Sequence, residues 1–170
     1  MRVYKRICSY VKSERLAMST NLPPGPEECT CLAVRKAARH ITQFYDQYLA
    51  PVGLRTTQFS ILAKLKRLGP MTINALAGEL VMDRTTLGRN VLPLERDGLI
   101  SIVPGRIDRR SKELQLTNAG IDRLQAARKG WKDAQTRFAT VFGEQRTAGL
   151  RALLCAVSAA DLSPASAANG

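Results

Sequence analysis

LAGELVMDRTTLGRNVLPLERDGLI, residues 76–100, carries two helix signals on either side of a tight turn at MDRT. On the near side, Thr72 can cap a short helix bearing Ile73, Leu76 and Leu80. On the far side, Asp83 can cap a second, whose Leu87, Val91 and Leu94 recur at steps of four and three and form one buried stripe. Burying that stripe turns Thr85 and Arg89 to the opposite face and leaves Arg84 and Thr86 on the exposed first turn. Pro93 sits inside the same helix, where it removes a donor and crowds the carbonyl of Arg89, so a bend is expected there.

Upstream, Val34, Ala38, Ile41, Tyr45 and Tyr48 recur at helical steps and predict a helix from near Glu28 to just before Pro51. Thr56 reads as the cap of the next helix, with Phe59, Leu62 and Leu65 inward and Gly69-Pro70 as its stop. Downstream, LISIV (99–103) and KELQLT (112–117) have strand character, and Pro104-Gly105 supplies turn chemistry between them. A fifth helix presents Ile121, Leu124, Trp131, Phe138 and Phe142 on one side, weakened in the middle by Gly130. A last helix after Gly143 carries Leu150, Leu153, Leu154 and Val157. Three helices followed by a two-stranded hairpin is the plan of a winged helix, which lays the helix after the turn in the major groove of DNA. The expected fold class is mainly α with a small β-hairpin: a winged helix-turn-helix whose N- and C-terminal helices form a dimerisation region.

The boundaries follow from these signals. Residues 1–26 form an N-terminal extension and 27–52 the first dimerisation helix. Residues 53–117 form the DNA-binding region, 118–162 the C-terminal dimerisation helices, and 163–170 a flexible tail. Within the extension, MRVYKRICSYVKSERLA is basic and can act as an arm on DNA, although Met18 offers a second plausible natural start.

The hairpin tip explains itself chemically. Arg106, Arg109 and Arg110 form a cationic tip that can reach a narrow A·T-rich minor groove, whose enhanced negative potential draws in arginine. Asp108, misplaced beside phosphate, can anchor Arg110 by a charge-assisted hydrogen bond and fix its direction. Short hydroxyls and an arginine at Thr85, Thr86 and Arg89 can reach base edges and phosphates without filling the major groove.

Composition agrees. Twenty-six Lys and Arg against fourteen Asp and Glu give a net charge of +12 over 170 residues, a balance that points to a polyanionic partner, nucleic acid before membrane. No stretch approaches the roughly 18 apolar residues a spanning helix requires. Four scattered cysteines and a single histidine leave little room for a disulfide scaffold, a zinc site or a catalytic triad. A reducing cytoplasm is the expected compartment, with no metal and no cofactor.

From Cys31 to Phe142 the chain resembles the MarR family of multiple-antibiotic-resistance regulators. The resemblance is carried by GLRTTQFSIL (53–62), by the 76–100 block, by the D-x-R wing at Asp108, Arg109 and Arg110, and by Leu116-Thr117. It implies a dimeric winged-helix transcription factor, usually a repressor, on a pseudo-palindromic operator of double-stranded DNA. It implies DNA contact at Arg84, Thr85, Thr86, Arg89 and Arg110, with Asp108 as anchor. The apolar stripes of the first and last two helices ask for a partner independently, since one small domain cannot cover them. A homodimer would then present two recognition helices to half-sites about one DNA turn apart.

Two candidate switches follow. Members of the family commonly leave DNA when a small phenolic or other aromatic ligand binds, and His40 and Phe44 lie where they can face such a pocket. Cys29 and Cys31 stand at the start of the first helix beside Arg35 and Lys36, a setting that favours thiol oxidation. The peroxide-sensing branch of the family likewise places a cysteine there. Cysteines two apart on a helix diverge rather than pair.

Two other classes fit the sequence less well. An enzyme lacks support, because no nucleophile motif, paired carboxylates or Gly-rich phosphate loop is present. A non-specific architectural DNA-binding protein would suit the charge, but not the combination of recognition helix and directed wing. The expectation is a sequence-specific transcription regulator, a repressor released by a small molecule, with peroxide sensing as the alternative switch.

Overall fold

The computed structural model of the chain describes residues 29–105 and 108–162. The expected extension at 1–26 and tail at 163–170 lie outside these residues, as does Arg106 of the expected DNA contacts. The helices are α1 (Thr30–Leu49), α2 (Thr56–Leu68), α3 (Ile73–Glu79), α4 (Arg84–Arg96), α5 (Asn118–Phe142) and α6 (Glu144–Ala159). The strands are β1 (Met71–Thr72), β2 (Ile100–Pro104) and β3 (Lys112–Leu116). The chain divides at Arg39 and His40 into two compact units, and the core lies wholly within the second.

Most helix boundaries follow local chemistry. Thr72 Oγ1 accepts from the N–H of Ala75 (3.2 Å) and caps α3. Asp83 Oδ1 accepts from the N–H of Thr86 (2.8 Å) and caps α4. Thr117 Oγ1 accepts from Gly120 (3.0 Å) while donating to the carbonyl of Gly98 (2.7 Å), so one hydroxyl starts α5 and ties it to the end of α4. The expected cap of α2 is different. Thr56 is its first helical residue and Arg55 its cap position, with Gln58 Oε1 accepting from the N–H of Arg55 (2.9 Å). The orphan N–H of Thr56 is taken by Asp46 instead.

The sheet also differs from the expected hairpin. β1 pairs antiparallel with β3, Met71 opposite Leu114 and Thr72 opposite Glu113, giving three strands in the order β1-β3-β2. The hairpin itself registers Ile100 against Leu116 and Pro104 against Lys112. Two residues carry no strand signal of their own; β1 exists because β3 offers it a free edge.

The core joins α2, α3, α4 and the sheet. Ile61, Leu62, Leu76, Leu87 and Leu94 are fully buried, with Val91, Leu99, Ile100 and Leu114 beside them. Leu124 and Ala127 of α5 belong to the same cluster. Burial of such large side chains at about 25 cal/mol per Å² is the main force holding this region together. Pro93 lies within α4 without ending it. Gly130 does not interrupt α5 either: a Cβ there would stand 2.3 Å from the carbonyl oxygen of Tyr48, so its hydrogen lets α5 approach α1 closely.

Candidate nucleic-acid interface

α4 presents two faces, as its spacing predicts. Leu87, Val91 and Leu94 are buried, whereas Arg84, Thr85, Thr86 and Arg89 are all exposed. Asp83 holds the first turn. Its carboxyl is pushed below the usual range, chiefly by a side-chain hydrogen bond with Thr86 and next by the Thr86 N–H. Thr86 therefore belongs to the cap as well as to the exposed turn. The carboxamide of Asn90 donates to the carbonyl of Thr86 (2.8 Å), bracing the same turn one step further on. Arg84, Thr85 and Arg89 remain the outward-facing groups.

The wing is braced by main-chain geometry. Asp108 Oδ1 accepts from the N–H of Arg110 at 2.9 Å, so the anchor expected between two side chains reaches the backbone of Arg110. The carbonyl of Asp108 accepts from the N–H of Ser111 (3.0 Å) and from its hydroxyl (2.7 Å). Gly105 donates to the carbonyl of Ser111 (2.9 Å) and closes the loop. A Cβ on Gly105 would lie 2.0 Å from Ser111 Oγ and 2.5 Å from the Asp108 carbonyl, so the tip requires glycine there. The result is a turn with Asp108, Arg109 and Arg110 exposed.

A cavity of about 530 Å³ lies among α1, α2, α5 and α6. Tyr45, Phe59, Trp131 and Phe138 supply its aromatic wall, with Phe59 and Trp131 stacked at 5.9 Å and 19°. Lys64, Arg67 and Arg151 supply cations. Lys64 is paired with Glu79 at the end of α3 (2.7 Å), which lowers the Glu79 carboxyl. Burial raises the Tyr45 phenol, opposed by the charge of Arg151. His40 and Phe44 are not among the lining residues. His40 is exposed and Phe44 packs within an aromatic cluster, 5.5 Å from Tyr45, 5.1 Å from Tyr48 and 6.4 Å from Phe138. The true lining is shared among four helices, which no single helical spacing could reveal.

Cys29 and Cys31 are exposed free thiols, and Cys155 is a third. Among the described residues no group of His, Cys, Asp and Glu could hold a metal ion, and no helix is long and apolar enough to cross a membrane.

Comparison with known proteins agrees with this geometry. A family model described as MarR family matches residues 54–112, from the end of the first turn to the wing. An HTH-type transcriptional regulator of Bacillus subtilis strain 168, YwoH, is 32% identical over 84 residues, 49% of this chain and 61% of that protein. The chain thus spans less than two thirds of that relative. The transcriptional regulator MosR of M. tuberculosis is 34% identical, with a TM-score of 0.67 over 80% of this chain and 100% of that one. Its structure in complex with DNA is 36% identical, with a TM-score of 0.62 over 75% of this chain and 98% of that one. With its recognition helix, wing and flanking helices in this order, the chain belongs to the MarR family of winged-helix transcriptional regulators.

Proposed function

We propose that this protein is a homodimeric, cytoplasmic repressor that reads a pseudo-palindromic operator and leaves it when a small aromatic acid binds. The observation that carries the reading is α4: its three core residues are buried while Arg84, Thr85, Thr86 and Arg89 stand clear on the outward side. In this reading Thr85 and Arg89 meet base edges in the major groove, and Arg84 and Thr86 meet the backbone. Arg109 and Arg110 enter the flanking minor groove from a turn that Asp108 braces through the main-chain N–H of Arg110. That MosR, 36% identical to this chain, was solved in complex with DNA supports a DNA-bound role.

The homodimer is supported by uncovered apolar surface at the C-terminal end. Leu153 is 68% and Val157 54% exposed on α6, and Val141 and Phe142 are exposed where α5 ends. A second copy covering them would bury these side chains and set two α4 helices at two half-sites. The effector reading rests on the cavity, where an aromatic wall adjoins three cationic side chains. A flat ring fits the first and a carboxylate the second.

The test is fluorescence anisotropy on a labelled fragment of the DNA upstream of its own gene, against scrambled competitor, with and without benzoate or peroxide. Preference for the upstream fragment that benzoate abolishes is the expected result. Equal affinity for scrambled DNA at physiological salt would sink the operator reading in favour of an architectural one. Release by peroxide alone, absent from Cys29→Ser and Cys31→Ser, would move the switch to the thiols.

A further inference from the structure

The exposed face of α4 continues past the residues that open it. Thr85, Arg89, Leu92 and Arg96 follow one another at steps of four, three and four, which at about 100° per residue confines them to an arc of roughly 60°. That arc lies nearly opposite Leu87, Val91 and Leu94, none more than 3% exposed. Three members of the row are polar or charged, as an outward face requires. Leu92 is the exception: it is 62% exposed and has no part in the core.

A single leucine on a protein surface is ordinary. Its place in this row is what gives it a use. Thymine presents a C5-methyl group in the major groove, and an apolar side chain is the chemistry that recognises it. Thr85 and Leu92 are about 10 Å apart along the helix axis, close to three base-pair steps of about 3.4 Å. A helix lying along the groove therefore brings both over base edges.

We propose that Leu92 is a specificity-determining residue that packs against a thymine methyl, while Arg89, one turn earlier, hydrogen-bonds a neighbouring base. The inference rests on the DNA-reading function proposed above and adds a residue to it. Truncating Leu92 removes a side chain that is mostly in water, so the core is left as it is.

The experiment begins with selection of the preferred site from a random DNA pool by the full chain. Each thymine of that site is then replaced in turn by deoxyuridine, which lacks only the methyl. Wild-type protein is expected to lose about fourfold in affinity for each methyl that Leu92 buries, at one thymine per half-site. Leu92→Ala is expected to bind the thymine site more weakly by a similar factor and to be indifferent to that methyl. Equal deoxyuridine losses in the two proteins, or no methyl that matters to the wild type, overturns the assignment. A pool that yields no preferred site instead removes sequence reading altogether, a separate failure seen before any deoxyuridine is introduced.

Discussion

Asp46 holds the first turn of α2 from outside it: one carboxylate oxygen, Oδ1, accepts from both the N–H and the hydroxyl of Thr56, each at 2.7 Å. A cap supplied ten residues away locks the end of α1 to the start of α2, and it sets a negative charge at a helix N-terminus. Asp46→Ala leaves a half-buried N–H without its acceptor. The expected cost is about 2 kcal/mol, read as a lower urea midpoint. Asp46→Asn keeps one acceptor oxygen and should fall between. An unchanged midpoint for the alanine variant would show that water replaces the carboxylate without loss.

Two glycine substitutions should act with opposite signs. Gly130→Ala forces a Cβ against the Tyr48 carbonyl, where both partners are backbone, and should destabilise by about 1–3 kcal/mol despite alanine's better helix propensity. Gly78, in α3, has nothing within 4 Å of its Cβ position, so Gly78→Ala should stabilise by up to about 1 kcal/mol. Thermal melts of both proteins decide it, and a stabilised Gly130→Ala would contradict the close approach of α5 to α1.

The parts of the fold set by local chemistry were legible in the sequence. Asp83, Leu87, Val91 and Leu94 mark α4 by cap and spacing, and Gly105 marks the turn of the wing, whereas Pro104 belongs to β2, opposite Lys112. What was hidden depends on partners distant in the chain. β1 has two residues and is defined by Leu114 and Glu113, some forty positions on. Asp46 caps a helix it does not belong to, a contact that the local signal at Thr56 cannot show. At the wing, the charge-assisted bond expected between the Asp108 and Arg110 side chains is replaced by one from the Arg110 main chain. The cavity brings Phe59, Trp131 and Arg151 together from three different helices, and His40 and Phe44, which helix position alone suggests, do not line it. Such contacts are settled by packing rather than by spacing.

Acid should loosen α4 through its cap. The folded-state pKa of Asp83 is depressed, first by its hydrogen bonds with Thr86. Stability from this group is therefore present above the unfolded pKa and lost as pH falls through the folded one, a window at and below the ordinary value of 3.8. Asp83→Asn cannot ionise and should be the flatter of the two when midpoints are compared between about pH 5 and about pH 3, roughly one unit either side of an ordinary Asp. Parallel curves would mean that the carboxyl titrates alike folded and unfolded.

Trp131 is the sole tryptophan of the chain and lines the cavity, so its fluorescence reports on occupancy. Benzoate should quench it in a saturable way. Arg151→Ala removes the cation beside Tyr45 and should weaken that binding about tenfold, the worth of one charge-assisted hydrogen bond. Affinity for DNA without benzoate should stay the same. Superimposable quenching curves would separate the arginine from the ligand.

In the proposed DNA-reading role, Arg89 and Arg110 should fail in different ways when substituted. Arg89 faces outward from α4 beside Thr85, where a bidentate contact to a base edge costs about 1–3 kcal/mol to lose, and only on the preferred site. Arg110 lies exposed on the wing, its main-chain N–H held by Asp108. Arg110→Ala should weaken binding and abolish preference for A·T-rich flanks, because groove width and potential, rather than a base pattern, attract it. Titrations on the selected site, with flanks varied and salt stepped, distinguish the two. Arg89→Ala should flatten the response to changes in the central bases, and Arg110→Ala the response to changes in the flanks. If each variant loses affinity equally on every sequence, both arginines act as phosphate contacts alone, and base reading must be assigned elsewhere on α4.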